Sequence, residues 1–156
     1  MVNSLIRYFV GVVFVISLSS CNQNEAYFKF TSIPQNEWDK QSQICFNLDS
    51  ISTNTSNGYN VSLEITHNIS YPYKNLFLYL DYIRQDSILS LDTLELTLAD
   101  DYGKWQGGGN GPTRHLSVLY KSNFKVDTTL HNEIRISHAM QDQKLKGIER
   151  IGLKVY

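Results

Sequence analysis

Hydrophobic and polar residues alternate along much of this chain. Val61, Leu63, Ile65, His67 and Ile69 alternate with Ser62, Glu64, Thr66 and Asn68. Successive side chains of a strand point to opposite faces, so this run predicts a half-buried strand. Leu76, Leu78, Leu80 and Tyr82 share a second face, and Leu94, Leu96 and Leu98 a third, set against Thr93, Glu95 and Thr97. Leu116, Val118 and Tyr120 follow, then Ile134, Ile136 and His138, then Ile151, Leu153 and Val155. Tyr27–Phe30 and Gln43–Leu48 read as two earlier strands. No long helical period interrupts the series. About eight short strands of this kind predict an all-β chain, folded as a single antiparallel β-sandwich over residues 27–156.

The connections fit that reading. Asn54-Thr55-Ser56-Asn57-Gly58 is a turn cluster. Arg84–Leu91 reads as the connection of a hairpin, and His138–Gly147 has room for one helical turn before the last strand. Gly107-Gly108-Gly109-Asn110-Gly111-Pro112 reads as the most flexible stretch.

The N-terminus carries a different pattern. Arg7 precedes an apolar and small run from Tyr8 to Ser17, followed by Leu18-Ser19-Ser20-Cys21. A bilayer-spanning helix needs about 20 apolar residues, so this run is short for one. It suits the hydrophobic region of a secretory signal, usually about 7–15 residues. The ending resembles the bacterial lipobox, where cleavage before the cysteine leaves a thiol that carries diacylglycerol. A plain signal peptide or a short anchor is the alternative. The reading divides the chain into a signal peptide at 1–20, an acylated Cys21 with a tether to residue 26, and the sandwich. Acyl chains contribute about 0.8 kcal/mol per buried CH₂, and two hold stably where one does not.

Composition narrows the function classes. Cleavage of residues 1–20 from the 156 leaves 136, a usual size for one domain. The net charge is −1, and −2 once Arg7 leaves, with no basic run. Nucleic acid is therefore not an expected partner. With Cys21 acylated only Cys45 remains, so no intramolecular disulfide forms. Cys45 reads as a small half-buried strand residue rather than a reactive thiol, because no histidine or basic residue adjoins it in sequence.

Two segments carry a family resemblance. One is Asn68-Ile69-Ser70-Tyr71-Pro72-Tyr73-Lys74-Asn75-Leu76-Phe77-Leu78. The other runs from Asp92-Thr93-Leu94-Glu95 through Ala99-Asp100-Asp101-Tyr102-Gly103-Lys104-Trp105 to Gly109. With the lipobox, their order resembles the gliding-motility lipoprotein GldH family of the Bacteroidetes. The resemblance implies a membrane-anchored envelope lipoprotein, working beside gliding and type IX secretion components, with no known catalytic residue, cofactor or small-molecule substrate. Without a dense acidic run after Cys21, the start of the mature chain suits the periplasmic leaflet of the outer membrane, with the cell surface as the alternative.

The residues themselves offer few sites. Pro72 fixes φ and cannot donate to a ladder, so Tyr71-Pro72-Tyr73 reads as a strand boundary or turn that places two aromatics before the Leu76 strand. Asp100-Asp101-Tyr102-Gly103 reads as a tight turn. A phosphate loop needs a helix after its glycines, and here Pro112-Thr113-Arg114-His115 enters a strand pattern instead. Asp100, Asp101 and Asn110 offer oxygens to calcium, but not at EF-hand spacing. His67, His115, His131 and His138 have no metal-ligand spacing, and His67 and His138 fall on apolar faces. No nucleophile elbow is present, so a hydrolase is the least favoured class. Tyr71, Tyr73, Tyr102 and Trp105 are the candidate aromatic platform for a protein partner or, alternatively, a glycan, with core packing expected for at least two of them. Asp49-Ser50-Ile51, Asp86-Ser87-Ile88, Asp92-Thr93-Leu94 and Asp127-Thr128-Thr129 resemble a short O-glycosylation sequon, best placed at Asp86 in a loop.

Overall fold

The computed structural model describes residues 25–52, 58–127 and 132–156. Ten strands account for most of them: β1 (Tyr27–Ser32), β2 (Glu37–Asp39), β3 (Ile44–Asn47), β4 (Tyr59–Asn68), β5 (Asn75–Arg84), β6 (Ser87–Thr97), β7 (Thr113–Phe124), β8 (Glu133–His138), β9 (Lys144–Lys146) and β10 (Ile148–Val155). The signal peptide, Cys21 and the turn residues Asn54–Asn57 lie outside the described residues.

The strands form two four-stranded sheets in the orders β1-β10-β4-β7 and β3-β8-β5-β6, with β2 and β9 as a separate two-stranded ribbon. All pairings are antiparallel. The expected alternation sets the register. Leu63 stands opposite Leu153 and Val118, and Ile65 opposite Ile151 and Leu116. In the second sheet Leu80 stands opposite Ile136, and Leu78 opposite Leu94. The inward rows of both sheets merge into one apolar cluster that includes Phe46, Leu63, Ile65, Leu78, Ile136 and Leu153. Each such side chain contributes about 1.5–3 kcal/mol relative to exposure.

Several expectations need correction. The Arg84–Leu91 connection is only a two-residue turn, Gln85-Asp86, and β6 already begins at Ser87. Both turn residues take positive φ, as a primed hairpin turn requires. No helical turn fills His138–Gly147. Its residues 144–146 pair with β2 instead, and Leu145 is buried. The one helical turn among the described residues is a 3-10 turn at Pro34–Asn36.

Strand β4 is buried on both faces rather than one, because Glu64 and Thr66 are 4% and 0% exposed on the side opposite the core. Gly152 of β10 leaves the space that explains this: a Cβ there would stand 2.6 Å from the Phe30 ring and 3.1 Å from Glu64 Cβ. Phe30 therefore reaches over the missing side chain toward Glu64. Cys45 is exposed, not half-buried. Partial desolvation of its thiol, followed by the neighbouring Glu133, raises its pKa, which opposes thiolate formation.

The topology gives the sandwich two distinct ends. The starts of β1 and β4 and the ends of β7 and β10 lie together, since Tyr27 pairs with Val155 and Tyr59 with Phe124. Short connections join this end to the β5–β6 turn side of the other sheet, where Asn47 and Ile83 both pair with Glu133. We call this the tether end, after the tether expected from the sequence. Residues 33–43, 69–74, 98–112 and 139–147 gather at the other, the loop end. Along one side, the edge strands β6 and β7 are clasped: Lys121 Nζ lies 2.7 Å from Asp92 Oδ2 and donates to the Tyr82 hydroxyl at 2.8 Å. The Tyr82 and Tyr120 hydroxyls are 2.8 Å apart.

Candidate functional site

The loop end collects most of the residues singled out in the sequence. Tyr71 and Tyr73 lie in the β4–β5 connection, and Pro72 between them lies outside both strands, at a boundary as expected. The Tyr71 and Tyr73 rings meet edge to face at 5.8 Å, and Trp105 lies 6.5 Å from Tyr71. His67 joins them, with its ring 4.7 Å from Trp105. Tyr102 stands apart at the tip of the Asp100 turn and is 97% exposed. The four aromatics therefore do not form one platform. Tyr71 is a core residue at 2% exposure, Tyr73 and Trp105 are half-buried, and Tyr102 is a separate contact.

Each side chain is tied down locally. The Tyr71 hydroxyl donates to the Asn75 carbonyl at 2.9 Å, and the Tyr73 hydroxyl to Asp142 Oδ2 at 2.8 Å. Burial raises the Tyr71 pKa, and the Asp142 hydrogen bond raises that of Tyr73. Trp105 bridges back to Ala99. Asp100 Oδ1 accepts from the Tyr102 and Lys104 amides at 2.9 Å each, while Asp101 pairs with Lys74 at 3.0 Å. These bonds commit Asp100 to shaping the turn, while Asp101 makes an exposed ion pair to the β4–β5 connection.

The glycine loop is less free than its composition suggests. Gly108 exchanges hydrogen bonds with His115 at 2.9 and 2.7 Å, and the Ile69 amide donates to the Pro112 carbonyl at 2.8 Å. Gly107 has φ +79, and a Cβ there would lie 2.1 Å from the His115 carbonyl oxygen. That glycine serves close backbone approach. Gly147 does the same on the other side of the cluster: with φ +90, its Cβ would meet Tyr71 Cα at 2.7 Å.

Two histidine–tryptophan pairs sit at this end. His67 Nδ1 lies 3.1 Å from the Asn68 carbonyl, and His138 Nε2 lies 3.1 Å from the Trp38 carbonyl. A carbonyl accepts, so these nitrogens carry the protons of the neutral rings. The opposite nitrogens, His67 Nε2 and His138 Nδ1, are buried without a hydrogen-bond partner. His138 packs edge to face on Trp38 at 5.5 Å. Burial lowers the pKa of both imidazoles. They are neutral packing groups. His131 lies outside the described residues.

Sequence reasoning missed one polar cluster. His115 Nε2 lies 2.9 Å from the buried Glu64 Oε2, and Ser117 Oγ donates to Glu64 Oε1 at 2.7 Å. Thr66 Oγ1 is 3.3 Å from His115 Nδ1. Ser117 bonds to the carboxylate rather than to the imidazole, so His115 is not placed to take its proton. Only the i, i+2 spacing of Glu64 and Thr66 on the polar face of β4 could have signalled this group. Among the described residues, no three His, Cys, Asp or Glu side chains come together in a way that could hold a metal ion. Beside Tyr73, a shallow cleft of about 350 Å³ is lined by Phe77, Ala139, Met140 and Gln141. Of the sequon candidates, Asp86-Ser87-Ile88 occupies the exposed β5–β6 turn, and Thr128-Thr129 lies outside the described residues.

The sequence as a whole matches known proteins. The GldH lipoprotein family matches residues 25–155. The chain belongs to this family. It is 31% identical over 160 residues to a gliding motility lipoprotein GldH homolog of Christiangramia forsetii, covering 97% of this chain and 96% of that protein. It is 26% identical over 137 residues to the gliding motility lipoprotein GldH of Flavobacterium johnsoniae, covering 87% and 83%. The GldH match thus spans both sheets and every loop at the loop end.

Proposed function

We propose that this chain is a lipid-anchored, non-enzymatic component of the gliding and secretion-associated envelope machinery. Acyl chains on Cys21 hold it on the outer membrane, facing the periplasm, and its loop end receives another envelope protein. The GldH relatives named for gliding motility support the setting. The observation that carries the contact is the surface of the loop end. Half-buried Tyr73 and Trp105 are fixed in place, and Ile69 and Tyr102 stand 53% and 97% exposed. An exposed ring on a rigid base combines apolar area with a polar handle at low entropic cost.

The test is purification of the tagged, acylated protein from its native envelope after mild crosslinking. Gliding or type IX secretion subunits are expected to accompany it, and Tyr102→Ala is expected to weaken their recovery without touching the core. Recovery of no specific protein, together with oligosaccharide binding lost in the same variant, would replace this reading with a glycan-binding one.

A further inference from the structure

The tether and a run of exposed aliphatic side chains leave the domain at the same end. Ile88, Leu89 and Leu91 of β6 are 59%, 53% and 52% exposed. Ile88 and Leu89 follow directly on the β5–β6 turn. We propose that this hairpin tip is a second membrane contact, inserting Ile88 and Leu89 into the lipid surface that holds the acyl chains. The inference rests on the lipid-anchor reading of Cys21.

Chain length makes the geometry binding. Cys21 is four residues from Glu25, a reach of at most about 14 Å. The reach starts from the body of the sandwich, because Ala26 already donates to the Val155 carbonyl at 2.8 Å and Glu25 pairs with Lys154 at 2.6 Å. An acylated Cys21 therefore keeps the tether end within about 14 Å of the bilayer. Strand β4 has 10 residues, about 33 Å of extended chain, which holds the loop end well away.

The hairpin is at the near end by topology. The β5–β6 turn adjoins the Ile83–Glu133 pair, on the side from which the chain passes to β4 and arrives from β7. Strands β1 and β6 are at opposite corners of the sandwich, since the Lys121–Asp92 clasp joins β7 to β6. Three strand spacings of about 4.8 Å and one sheet spacing of about 10 Å separate them, so one plane can touch both. Charge at the tip suits a headgroup layer. The turn's carboxylate, Asp86, is 2.8 Å from the Arg135 guanidinium, and exposed Arg84 adjoins it. Arg135 also pairs with Glu133, so the charges at the tip balance and the aliphatic side chains carry the contact. Adding an apolar contact to an acyl anchor is a second attachment of the kind that makes membrane binding stable.

Both tryptophans, Trp38 and Trp105, are at the loop end, which supplies the control. The acylated protein and its Ile88→Trp variant are reconstituted into phosphatidylcholine–phosphatidylglycerol vesicles with brominated acyl chains, and flotation is measured alongside fluorescence. Both proteins are expected to float. Native emission is expected to be unchanged by the brominated lipid, while the emission added at position 88 is lost. Flotation without quenching at position 88 overturns the hairpin contact and leaves the anchor standing. Quenching of the native tryptophans overturns the orientation. Failure to float removes the anchor itself, and the inference with it.

Discussion

At the loop end, Trp38, His67, Tyr71 and His138 are all 2% exposed or less, although Tyr71 lies in a connection and Trp38 in a three-residue strand. At the tether end, Ile88 and Leu89 lie in a long regular strand and show more than half their surface. Tyr71 is thus buried outside any strand, while Ile88 and Leu89 are exposed within one. The loop end owes its burial to close backbone approach at glycines and to rings packed edge-on or tilted against one another. The β6 residues lie on a sheet edge, where no neighbouring strand covers them. An apolar residue in a strand is buried only when the sheet puts something against it.

The comparison breaks most sharply at Trp38. Trp38→Ala is expected to cost about 3–5 kcal/mol, read as a lower denaturant midpoint, because a full indole is removed from a closed site. A loss near zero would mean that the loop end can collapse around the gap. Gly147→Ala is expected to cost about 1–3 kcal/mol from its left-handed backbone alone, with the Tyr71 overlap added. Its near-ultraviolet circular dichroism should report the displaced ring.

Acid sharpens the contrast further. Burial holds His67 and His138 below the ordinary value of 6.5. Below that pH the unfolded chain binds more protons than the folded one, so stability falls as pH drops from 6.5 toward the folded values. Asp92 acts in a lower window: the Lys121 hydrogen bond depresses it below 3.8, so its contribution is lost only beneath that pH. Urea midpoints measured from pH 7 to pH 5 should decline, and a His67→Gln, His138→Gln double variant should flatten the decline. The smallest effect belongs to the tether end. Ile88→Ser and Leu89→Ser should each change stability by no more than about 0.5 kcal/mol, since neither is buried. A loss comparable to that of Trp38→Ala would erase the distinction between the ends.

Much of this architecture was legible because a period of two is a local signal. Val61–Ile65, Leu76–Tyr82 and Ile151–Val155 all lie in strands whose inward row is the predicted one. Strands β2 and β9 escaped because three residues hold too little alternation, and each has a single buried side chain, Trp38 or Leu145. The candidate site was legible only in part. Tyr71, Tyr73 and Trp105 converge, which no local turn signal announced, and the isolation of Tyr102 depends on how far the Asp100 turn projects. Glu64 looked solvent-facing, because alternation names the face of a residue and not what crosses over it. Its cover, Phe30, is far away in sequence and reaches it only because position 152 is a glycine.

The pairing of β1 with β10 has a mechanical consequence. Six successive residues of β1, Tyr27 to Ser32, are matched to Val155 through Arg150. Tension applied to the chain ahead of β1 would act along the strand axis, away from any load applied at the far loops. Such tension slides β1 past β10 and strains their hydrogen bonds together, rather than opening them one at a time like a zipper. The Phe30 ring, seated over Gly152, is a peg against that sliding. Under such a load the domain would resist extraction far better than one peeled from an edge.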